Sequence, residues 1–394
     1  MSLVRGRLAN QGAHPRFAAG DSPHPHRTRL GRVNTVRVVG TGLLGTSVAL
    51  CLSGAGVRVL LADPSPTALA LARDLGAGEI DTGEFDPDLV VVAAPPDVVA
   101  QVVLAELARH PQATVTDVAS VKASVLDAVL AGGGDAARYV GGHPMAGRER
   151  SGAVAARGDL FLGRPWVICP TPKNESRRVD AVRWLASAVG ASVVTMSAAE
   201  HDEAVALVSH TPQVMASLVA GRLQQAPDAA VAIAGQGLRD VTRIAGSDPT
   251  LWAQILAANA GPVTEVLSAV RDDLDGVLAA LAALSAEREG HPARGARADI
   301  ARAVAAGRSG RERLPGKHGT RPMVFATITV AIPDEPGSLA RLFADIGDAG
   351  VNIEELALEH APGRAVGLVD LSVLPSAGEA LERALADRGW QVVS

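Results

Sequence analysis

The chain has 394 residues, 47% of them hydrophobic and 20% charged, which is enough apolar material for two or three cores rather than one. A formal net charge of −5 supplies no basic field for nucleic acid or an anionic lipid surface, and no apolar run in the sequence reaches the length of a membrane span, so small molecules and other protein chains are the expected partners. Cys51 and Cys169 lie in apolar stretches with no CxxC or Cys/His metal spacing; buried structural thiols, a reducing cytoplasm and no metal site are expected.

Residues 1–33 are rich in Arg, His, Pro and Gly without the apolar core of a signal peptide, and read as a disordered extension or a misassigned start. From Thr35 to about Pro170, short Val-rich runs (VRVVG, VRVLLAD, LVVVAAP, TVTDV, YVGGH, WVICP) alternate with Ala/Leu-rich helical stretches. That alternation predicts a parallel sheet with crossover helices, an α/β domain over 34–193. After Gly190 the pattern changes, and 194–288 reads as all-helical. Ser197 and Glu200 form a capping box there, and Ser247, Asp248 and Pro249 open a second helix. Residues 289–321 are polar and basic, a linker with some helix. The segment 322–394 reads β-α-β-β-α-β, a small ferredoxin-like α+β unit.

Gly40, Gly42 and Gly45 in GTGLLG follow the strand VRVV and open the next helix. The first permits a tight turn, the second lets a pyrophosphate approach the backbone, and the third lets helix and strand pack closely, with phosphate on the helix N-terminus. The following strand ends in Asp63, placed to accept from both ribose hydroxyls. Together these specify a Rossmann dinucleotide site. Asp63 would repel a 2′-phosphate and Pro64 and Ser65 follow it rather than an Arg, so NAD is expected over NADP. Leu43 and Leu44 at the helix start, and Ala94 and Pro95 after LVVVAAP, are the other expected cofactor contacts.

Ligands bind beyond the carboxyl ends of strands in such a sheet. Ser120, past TVTDV, and His143, past YVGG, therefore fall on the edge that carries GTGLLG. A neutral imidazole there suits the removal of a hydroxyl proton as hydride leaves the same carbon, and Ser120 could hydrogen-bond it and fix its tautomer. In the helical region His210 precedes Thr211 and Pro212, where a proline should kink the helix and leave polar groups open. Arg239 and Arg243 stand one turn apart, flanking Asp240; an Arg among apolar residues can clamp a carboxylate, although an Arg pair on a helix is by itself usually a solvated face.

With these residues the chain resembles the prephenate dehydrogenase family of tyrosine biosynthesis, which includes arogenate and cyclohexadienyl dehydrogenases. The resemblance runs from about Val36 to Ala286. It is carried by GGHPMAGRERSG at 141–152, DVASVK, VSHTPQ, and GLRDVTR followed by Trp252. It implies oxidative decarboxylation of prephenate to 4-hydroxyphenylpyruvate, with His143 as the catalytic histidine and Ser120 bridging it to the nicotinamide. It further implies Arg243 as the carboxylate-binding arginine, with His210 and Glu149 lining the substrate pocket. Gln213 stands where many members carry a second histidine and Arg148 where Thr or Ser is common; both fall where prephenate and arogenate differ. Asp240 and Trp252 complete the expected pocket.

The C-terminal segment resembles an ACT domain, a module that commonly binds amino acids. Gly337 and Ser338 stand where a strand turns into a helix, and Asn352 is expected to open the next strand, so tyrosine feedback at these residues is the expectation. The β-hydroxyacid dehydrogenases have a similar architecture but use a lysine in the helical domain, and Lys122, Lys173 and Lys317 all lie outside it. An NAD-sensing regulator without turnover would have no need of His143. The long Ala/Leu-rich helices are expected to bury a face against a second copy in a homodimer.

Overall fold

The computed structural model describes residues 33–147, 152–287, 291–314, 325–360 and 366–393. It divides into two compact units. One contains the chain up to Val205 together with Asp248–Asn259; the other contains Ala206–Ser247 and the chain from Ala260 onward.

The first unit is built on β1 (Thr35–Val39), β2 (Arg58–Ala62), β3 (Glu79–Ile80), β4 (Leu89–Val92) and β5 (Thr114–Asp117), joined by α1 (Leu43–Gly54), α2 (Pro66–Asp74) and α3 (Val99–Arg109). The strands are parallel in the order β3-β2-β1-β4-β5. Chain order thus reverses between β1 and β4, which opens a crevice at their carboxyl ends. The strands are buried on both faces: Val36, Val38, Leu61 and Val91 pack towards α1, and Val90, Val92, Val103 and Val115 form the opposite layer. Continuous Val/Leu runs rather than alternating ones are what a sheet covered on both sides demands.

After β5 come α4 (Ala123–Ala131), β6 (Gly141–Pro144), β7 (Pro165–Cys169), α5 (Ser176–Ala188) and β8 (Ser192–Thr195). The chain just before β6 joins β5 through a parallel bridge between Val115 and Tyr139, but β6 pairs with β7 antiparallel, and β7 with β8 parallel. The all-parallel expectation is corrected here. Residues 145–164 contribute only a short 3-10 turn, Ala153–Ala155, among those described, and without a crossover helix the chain returns in the opposite direction. His143 accordingly lies within β6, not beyond it.

Next follow α6 (Ala198–Val205), a π-helical turn (Ala206–His210) and α7 (Thr211–Arg222). The capping box at the start of α6 is formed: the Ser197 N–H donates to Glu200 Oε2 at 2.8 Å and the Glu200 N–H to Ser197 Oγ at 3.2 Å. The kink expected at Pro212 takes the form of the π turn just upstream, since a proline has no N–H for the carbonyl four residues back and the ladder must change register. Ala198–Gln225 is the one described helical stretch long and apolar enough to cross a membrane by length and composition. Then come α8 (Asp228–Ala232), α9 (Gln236–Thr242), α10 (Pro249–Ala258) and α11 (Ala260–Glu287). Asp248 caps α10 by accepting from the N–H groups of Thr250 and Leu251, with Pro249 at the first helical position. Ile255 and Trp252 of α10 pack against the Val90/Val115 layer, and α10 falls in the unit that contains the sheet.

The stretch read as a linker contains α12 (Ala296–Arg311), which packs on α11 through Ala280, Ala293 and Ala296. The C-terminal segment comprises β9 (Ala326–Pro333), α13 (Ser338–Asp348), β10 (Glu355–His360), β11 (Val366–Val373), α14 (Pro375–Asp387) and β12 (Gln391–Val393). Its antiparallel sheet has the order β10-β11-β9-β12, the ferredoxin-like arrangement, over a core of Val330, Leu342, Ile346, Val369, Leu371, Leu381 and Leu385. β10 starts at Glu355, so Asn352 precedes the strand instead of opening it.

Candidate active site

Gly40 follows β1 with φ of +100°, and a Cβ there would lie 2.4 Å from the Ala93 carbonyl oxygen. A Cβ on Gly45 would lie 1.9 Å from the Gly40 oxygen, whereas nothing stands within 4 Å of one on Gly42. The turn is therefore tight behind and open in front, where Gly42 caps α1 without a side chain and leaves the first N–H groups facing outward. Leu43 and Leu44 form the first residues of α1, and Ala94 and Pro95 follow β4 across the switch point, with the Pro95 carbonyl accepting from the Val98 and Val99 N–H groups. At the end of β2, Asp63 Oδ2 accepts from the Thr41 N–H at 2.6 Å and the Thr41 hydroxyl at 2.9 Å, while Oδ1 accepts from the Ser65 N–H. The carboxylate is thus tied to the glycine turn. A nucleotide fits these features: an open helix start for phosphate, and a carboxylate acceptor at the end of the second strand, where a ribose is held in such folds.

β6, which follows the parallel Val115–Tyr139 bridge, carries His143 past the carboxyl end of β5. Of the two glycines before His143, Gly142 is required by packing and Gly141 is closely packed. A Cβ on Gly142 would lie 2.8 Å from the Asp117 oxygen and 3.1 Å from Trp166 Nε1, and one on Gly141 would meet Lys122 and Tyr139. The His143 ring is buried, and its Nδ1 lies 2.8 Å from Nε2 of His201, ring planes inclined at 71°. His201, wholly buried on α6, places its Nδ1 2.7 Å from Asp202 Oδ1. Asp202 accepts from the N–H groups of Lys122 and Ala123 at the start of α4, each at 2.8 Å. Burial alone would raise the Asp202 carboxyl, but the hydrogen bonds from His201, Ala123 and Lys122 outweigh it and hold its pKa below the ordinary carboxylate value.

A second buried cluster braces the first. Lys122 Nζ pairs with Asp117, whose other oxygen accepts from the Tyr139 hydroxyl at 2.7 Å; burial, then the Asp117 charge, pushes the Tyr139 phenol well above its usual range. Cys169 beside it is pushed up to about 12 by burial, an inert thiol, while Cys51 is half-exposed with a raised pKa from the same cause. Ser120 lies half-buried in the loop between β5 and α4. The partner at His143 Nδ1 is His201, so that nitrogen is not the one Ser120 holds.

In the second unit, His210 ends the π turn and is buried, with Thr211 and Gln213 buried beside it on α7. Gln213 Nε2 donates to Ser217 Oγ, and its Oε1 accepts from Ser247 Oγ, both at 3.4 Å. Arg243 begins a 3-10 turn after α9 and is exposed, as is Arg239, the solvated position usual for an Arg pair on a helix. Asp240 accepts from Gln236 at 2.8 Å. Arg148 and Glu149 lie outside the described residues. In the C-terminal unit, Gly337 caps α13 at φ of +95°, the Ser338 N–H donates to the Glu335 carbonyl, and exposed Asn352 donates to Glu354 at 3.0 Å. Among the described residues no group of three or more His, Cys, Asp and Glu gathers as a metal site.

The sequence reading missed His201, Asp202 and the Asp117–Lys122–Tyr139 cluster. The signal was faint: a His-Asp pair directly after the capping box, and a lysine in DVASVK that its apolar neighbours would bury.

Residues 48–195 match the model of the prephenate dehydrogenase nucleotide-binding domain, and 197–289 that of the prephenate dehydrogenase dimerization domain. The chain belongs to the prephenate dehydrogenase family. Its relatives include the "Probable prephenate dehydrogenase NovF" of Streptomyces niveus, 37% identical over 91% of this chain and 99% of that one. A prephenate dehydrogenase of Bacillus subtilis is 27% identical over 86% and 92%. Among solved structures, the prephenate dehydrogenase of A. aeolicus, in complex with hydroxyphenyl propionate and NAD+, is 29% identical with a TM-score of 0.61, covering 71% of this chain and 99% of that one. Family membership agrees with the resemblance read from the motifs.

Proposed function

We propose that this chain catalyses the NAD-dependent oxidative decarboxylation of prephenate to 4-hydroxyphenylpyruvate. The observation that carries the reading is His143, fixed by a buried hydrogen-bond chain on β6, past the carboxyl end of β5, in a member of this family. Gly40, Gly42, Gly45 and Asp63 would hold NAD, which when bound accepts the hydride. His143 takes the proton from the ring hydroxyl as that carbon becomes a carbonyl. The ring carboxylate then leaves as CO2, its bonding electrons completing an aromatic phenolate that takes back the proton held by His143, and the gain of aromaticity makes the step strongly downhill. The protein's task is to orient the ring, neutralise carboxylates and keep one base in place. Arg243 and His210 are assigned to the substrate by their match to the family's pattern, with Ser120 beside the nicotinamide, and Gln213, Arg148, Glu149, Asp240 and Trp252 as further pocket residues.

A homodimer accords with the dimerization-domain match and with Leu274, Leu278 and Leu281, half-exposed at helical spacing on α11. The two cysteines as free thiols accord with a cytoplasmic setting. The ferredoxin-like unit is read as an ACT module that takes tyrosine at Gly337, Ser338 and Asn352. Assay of prephenate and arogenate side by side, each with NAD and NADP, tests the substrate. Turnover is expected to be fastest with prephenate and NAD, whereas faster release of tyrosine from arogenate would reassign the substrate.

A further inference from the structure

We propose that His201 and Asp202 are positioning residues that set the tautomer of His143, leaving the proton on its Nδ1 and the basic lone pair on its Nε2. The assignment starts at the far end of the chain of hydrogen bonds. Asp202 receives two backbone N–H groups from the start of α4, and the side-chain amide of Asn259 donates to its main-chain carbonyl at 2.8 Å. This ties the end of α6 to two other segments. Donors at a helix N-terminus favour the carboxylate form, and a carboxylate only accepts. The 2.7 Å contact then requires the proton on His201 Nδ1. A neutral imidazole protonated at Nδ1 offers Nε2 as an acceptor, so the 2.8 Å contact requires His143 Nδ1 to be the donor.

The consequence is directional. A histidine on this strand with its proton on Nε2 would have its lone pair on Nδ1, facing His201, and only a donor at Nε2, while the relay presents Nε2 in the basic form. When Nε2 takes the proton, the Nδ1–H···Nε2 bond to His201 becomes charge-assisted, and Asp202 lies one ring further on to offset the positive charge. Among the described residues the other ionisable groups in this region include Lys122, paired with Asp117, then Tyr139, Cys169 and Glu200. Lys122 is neutralised by its partner, so Asp202 is the anion in line with the two rings.

The relay rests on the reading of His143 as the base, but its first test needs no substrate. In the full-length protein labelled with 15N-histidine, the nitrogen shifts of His143 at neutral pH are expected to show a protonated Nδ1 and an unprotonated Nε2; the reverse pattern overturns the proposal. The second test compares two variants. His201→Asn keeps an N–H directed at Asp202 but withdraws from His143, and His201→Gln carries an amide carbonyl to the position of the lost Nε2. Withdrawal of the relay is expected to lower kcat by about 10²–10⁴-fold with KM for NAD and substrate little changed, and the Gln variant is expected to recover at least about tenfold of that loss, as the restored acceptor requires. Equal losses in the two variants, or a loss confined to KM, would overturn it. Failure of the wild type to turn over prephenate would count against the proposed reaction, and the tautomer measurement would still decide the relay.

Discussion

His143 occupies its place because Gly141 and Gly142 leave no side chain between β6 and the Asp117/Lys122/Tyr139 cluster behind it. That cluster contains a fully buried ion pair, and removal of one partner strands the other charge. Lys122→Met is therefore expected to lower stability by about 3–5 kcal/mol, measured by urea denaturation, and a change below about 1 kcal/mol would show that the pair contributes little. Asp202 supplies a pH signature. Its native pKa lies below the unfolded value near 3.8, so its contribution is complete above that value and is lost as pH falls through the lower native one. The stability gap between wild type and Asp202→Asn should accordingly be widest near neutrality and close on acidification below about pH 4. A gap independent of pH would contradict the assignment. Asp63 and the glycines were legible because a strand, a turn and a helix start specify them locally. His201 and Asp202 were not, because their partners lie 58 and about 80 residues away in the chain, and only tertiary packing joins them.

At the level of single elements, caps and strands repeated what short stretches of sequence encode. Ser197/Glu200 and Asp248/Pro249 start helices where side-chain oxygens can satisfy open N–H groups. Asp248→Ala is expected to cost about 1 kcal/mol, read as a fall in Tm. Harder to read were features set by their neighbours. β3 is two residues long, held by its pairing with β2, and the reversal of β7 follows from the missing crossover helix. The π turn before Pro212 was foreseen only as a kink; the proline announces a break in the ladder but not whether the chain bends or widens. Arg243 is exposed in the short turn after α9, as an Arg pair on a helix usually is, and its assignment to a carboxylate came from the motif around it and not from its spacing.

Over the whole molecule, the periodicity change after Gly190 and the βαββαβ pattern at the C-terminus revealed the architecture, while the assignment of α10 to the sheet-containing unit depended on Trp252 and Ile255 finding the face of α3 and β5. The ferredoxin-like unit has a core of its own, so a chain ending at Leu314 is expected to fold and to retain turnover while losing any response to tyrosine; loss of basal turnover would tie that unit to catalysis. The central claim is that His143 is the base of an NAD-dependent oxidation of prephenate. The most direct test is the rate of NADH formation from prephenate by wild type and by His143→Asn, with NAD affinity measured in parallel. The account predicts a loss of about 10³-fold or more in kcat with cofactor binding unchanged, and equal rates would contradict it.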